Sequence, residues 1–187
     1  MSELAKQEKI ELLRLARRSI ELLLRERRAD VLVSETLGLA RPGGVFVSLH
    51  CQGHLRGCIG RIRSPDPLFR TVQEMAIAAA SQDFRFYPLH PDELPELEIE
   101  ISALSVPEPI RPEAVVVGKH GLIVTQGCSS GLLLPQVATQ YGWDAETFLS
   151  HTAEKAGLGP RDWKSPKSRI EAFTAEVFSE KSLMELG

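Results

Sequence analysis

Three cysteines are too few, and too irregularly spaced, to staple a chain of 187 residues. Cys51, Cys58 and Cys128 follow neither a disulfide-scaffold nor a zinc-finger spacing, and three cannot all pair. A chain this long buries about 70% of its unfolded surface and needs no crosslink to fold. No apolar run approaches the ~20 residues of a membrane span. The opening, MSELAKQEKIELL, is charged and lacks the apolar centre of a signal peptide. A net charge of −3 disfavours a broad nucleic-acid surface. RRM and KH signatures, a Walker loop, a dinucleotide glycine fingerprint and a serine-hydrolase elbow are all missing. So is any Cys-x₃-Cys-x₂-Cys run for an iron–sulfur cluster. The expectation is a reduced, cytoplasmic protein without a resident metal or cofactor.

What the chain does contain is ordinary globular material, 43% hydrophobic and 25% charged. Leu12, Leu13, Ala16, Ile20, Leu23 and Leu24 form one apolar stripe and predict a long helix over residues 3–28. Arg14, Arg17, Arg18 and Arg25 fall off that stripe and read as a solvated face. GGVFVSLH, the turn CQGH and LRGCIG predict a hairpin. After SPDP, Leu68, Val72, Met75, Ala76 and Ala79 keep helical spacing. DFRFYPLHPDELPE reads as a proline-rich loop, and LEIEISALS as a third strand.

The second half repeats this order about 75 residues on. GLIVTQ, the turn GCSS and GLLL form a hairpin, and Pro135 suits the first turn of a helix. DAETFLSHTAEKAG is a helix with Asp144 as N-cap and Gly157 past its end, and residues 169–178 form a closing strand. Hairpins demand antiparallel pairing. The expected fold is α+β: three layers, α/β/α, with a mainly antiparallel sheet built from two hairpin–helix–strand repeats. Residues 1–187 are read as one domain, with the N-terminal helix and first repeat in 1–110 and the second repeat in 111–187.

The unusual stretch is HLRGCIGRI, residues 54–62. Strand alternation puts His54, Arg56 and Cys58 on one face and Leu55, Gly57 and Ile59 on the other, with Leu55 and Ile59 as core. Gly57 and Gly60 mark a bulge or a close approach by a ligand or another backbone. A buried Arg56 needs a partner, and Glu98, Glu100 and Asp83 are the candidates. One reading is an Arg56–Glu100 pair that only sets register. The other is a pocket in which Arg56, helped by Arg85 and Asp83 of SQDFRFYP, holds a small anionic or nucleotide-like ligand beside the Cys58 thiol. His120 or Glu100 would then manage protons. His50, Cys51, His54 and Cys58 offer metal-ligand atoms, but two flank a turn and Cys58 lies well up the strand, so no metal site is expected.

LRGCIG, PLFRTVQEMAIAAA, DFRFYPL, ELEIEISALS, VGKHGLIV, GLLLPQVATQYGWD, FLSHTAEKAGL and FTAEVF resemble, in order, successive blocks of the AMMECR domain family. Its bacterial and archaeal members are called AmmeMemoRadiSam system protein A. One departure is QDFRF, where the family more often has DPRF; Asp83, Arg85 and Phe86 keep counterparts. The resemblance implies a three-layer fold of two similar halves and an association with a Memo-type protein and a radical SAM protein. It implies no agreed reaction. It carries over Leu55 to Gly60, with Arg56 and Cys58, and more weakly Glu100 and His120. A non-catalytic interaction module with a structural LRGCIG segment is the alternative to the cysteine pocket.

Overall fold

The computed structural model describes residues 3–30 and 32–184, so both ends of the expected 1–187 domain, and residue 31, lie outside the described residues. In chain order the elements are α1 (Lys6–Glu21), β1 (Gly44–Cys51), β2 (His54–Arg61), α2 (Leu68–Ser81), β3 (Leu97–Leu104) and β4 (Glu108–Pro109). There follow β5 (Gly121–Gln126), β6 (Ser129–Leu133), α3 (Pro135–Gln140), α4 (Ala145–Lys155), β7 (Arg169–Phe173), β8 (Ala175–Ser179) and α5 (Glu180–Met184). This is the α+β fold the patterning predicts, with antiparallel hairpins.

The strands divide between two four-stranded sheets, ordered β2-β1-β3-β8 and β4-β7-β5-β6. The chain forms two compact units, one of residues 1–104 and 176–187, the other of 105–175. The expected closing strand over 169–178 is therefore two strands in different sheets, parted at Thr174. Hydrophobic alternation runs through both and cannot show the change of sheet. β4, only two residues long, carries no period-two signal at all. Each repeat sends its next strand to the other sheet: β4 follows β3 but pairs with β7, and β8 follows β7 but joins β3. At the two departure points Ser105 N–H donates to Thr174 O at 2.9 Å, and Thr174 N–H to Ser105 Oγ at 2.9 Å.

In the first unit Leu12, Ala16 and Ile20 of α1 and Val72 and Ala76 of α2 pack on Val45, Val47, Leu49, Ile99 and Ile101. These strand residues alternate, so the helices cover one face of that sheet. Regular α1 stops at Glu21, short of the expected residue 28. A π-helical turn carries the chain to Glu26, and Arg27, at φ +53°, ends it. In the second unit Phe148, Leu149 and Ala153 of α4 pack on Leu122 and Val124, with Trp163 and Ile170 beside them. Asp144 caps α4 by accepting from Thr147 N–H at 2.8 Å, and Gly157 follows with φ +76°.

Candidate functional site

The hairpin β1–β2 turns at Gln52 and Gly53, both with positive φ, as a two-residue type I′ turn demands. Leu49 then faces Gly57 while His50 faces Leu55, so Arg56 is the extra residue of a β-bulge. The bulge breaks the alternation read from the sequence. Leu55 shares the face of His50, Ser48 and Cys58, and is 40% exposed rather than core. Ile59 does pack on the core. β2 is an edge strand, with β1 between it and β3. As the inserted residue, Arg56 leaves the row of Ser48, Cys58 and Glu100, and none of the anticipated partners, Glu98, Glu100 or Asp83, holds it.

Its partner is Glu93. Arg56 Nε and Nη2 donate to the Glu93 carboxylate at 2.7 and 3.0 Å, and Nη1 and Nη2 to the carbonyls of Tyr87 and Pro88 at 2.8 and 3.3 Å. The Arg56 bond, with help from His90 N–H, holds the Glu93 carboxyl below its ordinary pKa. Asp83, its side chain 2% exposed, accepts the Cys58 N–H at 2.8 Å and the Arg85 guanidinium at 2.7 and 2.9 Å. Arg85 Nη2 also reaches Cys58 O at 3.3 Å. The guanidinium of Arg85, above all, holds the Asp83 carboxyl far below the usual carboxylate range. The Asp83–Arg85 fork thus takes both outward backbone groups of Cys58, where a further strand would pair. Both arginines expected to clamp an anion are engaged bidentately by acids of the same chain.

Two glycines of the motif make room for the protein's own atoms. A Cβ on Gly57 would stand 2.3 Å from Ala79 O, on the backbone of α2. One on Gly60 would meet the ring of Phe46, its cross-strand neighbour, at 2.3 Å. The Cys58 thiol is half-buried, and Ser48 Oγ donates to its sulfur at 3.3 Å. Glu100 faces Ser48 from β3, so Cys58, Ser48 and Glu100 form one row across the sheet. His120 belongs to the second unit, just before β5. Its Nδ1 accepts from Val116 N–H at 3.1 Å, and burial, with Lys119 near it, lowers its pKa. Among the described residues of the first unit, no histidine is hydrogen-bonded to Cys58. Burial, with Glu93 near it, pushes the Cys51 thiol up. Among the described residues no group of three His, Cys, Asp or Glu is placed to hold a metal, and no helix is long and apolar enough to cross a membrane.

The loop clasped by these forks presents Phe84, 95% exposed, and Tyr87, 91% exposed. Phe86 N–H closes a turn onto Asp83 O at 3.0 Å, with Phe84 and Arg85 at its centre. Sequence reading missed Glu93; its only signal was the helix-start pattern HPDE, which points to capping and not to Arg56. Arg17, read as solvated, bonds Glu180 at 2.5 Å and the Leu97 carbonyl at 2.6 Å, and Glu180 accepts Ile99 N–H at 3.0 Å. That cluster ties α1 to β3 and α5, with open clefts of ≈ 440 and ≈ 610 Å³ beside it.

An α+β chain whose glycine-flanked Arg-Gly-Cys strand is clasped by an Asp-x-Arg turn defines a recognisable class. The AMMECR1 family model matches residues 13–178, and the chain belongs to that family. A protein of Methanothermobacter thermautotrophicus is 47% identical over 73% of this chain and 75% of its own. One of Thermococcus gammatolerans is 45% identical over 91% of this chain and 89% of its own. The crystal structure of the uncharacterized protein PH0010 from Pyrococcus horikoshii superposes with a TM-score of 0.83 at 40% identity, covering 92% of this chain and 91% of that one.

Proposed function

We propose that this chain is a cytoplasmic docking module of the AmmeMemoRadiSam system, in which LRGCIG is the structural anchor of an aromatic recognition loop. One observation carries the reading: Phe84 and Tyr87 are almost wholly exposed on a turn whose backbone is held by Asp83, Arg85 and Arg56. Exposed aromatics on a preorganised loop lose little entropy on binding and are the side chains that dominate interfaces. The partners are the Memo-type and radical SAM proteins that the family resemblance associates with it. With purified partners, Phe84→Ser combined with Tyr87→Ser weakens binding at least ~tenfold while the thermal midpoint stays within a few degrees of wild type. Unchanged affinity of the double variant for both proteins ends this reading.

A second reading rests on the row of Cys58, Ser48 and Glu100: a site that binds a small anionic or nucleotide-like ligand next to a reactive thiol. In it Cys58 is the nucleophile and Glu100 the base, while Arg56 and Arg85 are engaged by Glu93 and Asp83. A thiol probe at neutral pH then labels Cys58 in the native protein ahead of Cys51, and Cys58→Ser removes that adduct without lowering stability. Labelling confined to Cys128, the exposed cysteine, removes this second reading.

A further inference from the structure

The two hairpins share one plan. β1 and β5 each start on a glycine, Gly44 and Gly121, that faces the last residue of the third strand, Leu104 and Phe173. In that register Ser48 corresponds to Thr125, and their hairpin partners Cys58 and Ser130 correspond too. Even the side-chain bond repeats: Ser48 Oγ to Cys58 Sγ at 3.3 Å, Thr125 Oγ1 with Ser130 Oγ at 3.1 Å.

The plan is broken at the edge. Cys58 has both outward backbone groups taken by the Asp83–Arg85 fork. Ser130 has no such fork: among the described residues β6 pairs with β5 alone, and no backbone hydrogen bond leaves Ser130 or Leu132 outward. The tight turn at Gly127 and Cys128 makes Ser129, Gly131 and Leu133 the residues bonded to β5. Ser130 and Leu132 therefore point their N–H and C=O away from the sheet. Ser130 is exposed and Leu132 half-buried. The stretch QGCSSGLLL, residues 126–134, has no charge and no proline, and its pairing has no bulge, so the usual guards of an edge are missing.

We infer that this edge pairs with the same edge of a second copy of the chain. Antiparallel pairing about a two-fold at Gly131 sets Ser130 of each copy opposite Leu132 of the other. Every outward donor and acceptor of the pair then finds its complement, which is the reciprocity an isologous interface requires. Charge agrees, because symmetry brings like residues close and this stretch brings no like charges together. A foreign charged peptide finds nothing here to select it. The strand is five residues long, so the contact is small and the dissociation constant falls at about 10–100 μM.

Sedimentation of the full chain under reducing conditions, from about 5 μM to 1 mM, tests this together with amide exchange. The average mass rises toward twice the monomer, and exchange at Ser130 and Leu132 slows at least ~tenfold at the top of the range. Ser130→Pro removes an outward N–H and leaves the β5 ladder intact, and Ser130→Lys sets two like charges diagonally across the two-fold. Both melt within a few degrees of wild type and weaken the dimer at least ~tenfold. A chain that stays monomeric at 1 mM overturns the inference. So does a dimer indifferent to both variants, or amides at Ser130 and Leu132 protected at every concentration. Protection that appears only on adding purified Memo-type protein assigns the edge to a different polypeptide and overturns it as well.

Discussion

Arg85→Met destabilises the protein by about 2–3 kcal/mol at pH 7, less than a fully buried pair would cost because the guanidinium is 46% exposed. For a chain of this size the thermal midpoint falls by roughly 4–12 °C. The cause is the carboxylate left behind. Asp83 is buried to 2% exposure, and without the guanidinium its charge keeps only the N–H groups of Cys58 and residue 85. A buried ion stripped of its partner costs more than the pair contributed. Adding Asp83→Asn to Arg85→Met therefore recovers part of the loss, since the amide oxygen still accepts Cys58 N–H and carries no charge. The pH dependence has a definite sign. Asp83's folded pKa lies below its unfolded value near ~3.9, so its contribution is full above that pH and fades as pH falls toward the folded pKa. Urea unfolding at pH 7 and near pH 3 accordingly shows the gap between wild type and Arg85→Met narrowing in acid. A gap that widens, or a double variant worse than Arg85→Met alone, contradicts the assigned pairing.

Gly57→Val leaves no soluble folded protein, and Gly57→Ala costs at least about 3 kcal/mol. The new Cβ would lie 2.3 Å from Ala79 O and 3.2 Å from Ala79 C, which are backbone atoms of α2 and cannot rotate aside. Relief requires moving a helix whose Val72, Ala76 and Ala79 are set in the core, so overpacking exceeds its usual ~1–3 kcal/mol. Gly53 is the control. It has φ +78° and nothing within 4 Å of a new Cβ, so Gly53→Ala pays only local backbone strain, about 1 kcal/mol. Soluble yield and denaturation of the three variants decide it. Near-native melting of Gly57→Val would mean that this glycine does not set the approach of α2 to β2.

Both experiments concern residues that the sequence singles out for other reasons. Arg56 and Cys58 stand out because a charge and a thiol between glycines are poor choices for a strand, and Asp83 and Arg85 because they give the loop SQDFRFYP a partner acid and a second basic arm. What they do there depends on one inserted residue. The bulge at Arg56 swings its guanidinium off the sheet face toward Glu93, 37 positions on, and moves Leu55 out of the core. Period-two alternation carries no mark of a bulge, because the same apolar and polar letters read equally well in either register. Glu93 and Glu180 were likewise invisible as partners, since an ion pair between distant segments leaves no spacing signal.

Helices, hairpins, the capping of α4 and the repeat itself are consequences of local chemistry: apolar spacing, turn glycines, a carboxylate placed to cap, and these are written residue by residue in the chain. The parting of the strands into two sheets, the exchange of β4 and β8, the closure of one hairpin edge and the openness of the other are not. They follow from which distant backbone groups find one another once the cores have formed, a competition among non-local partners that no local period records.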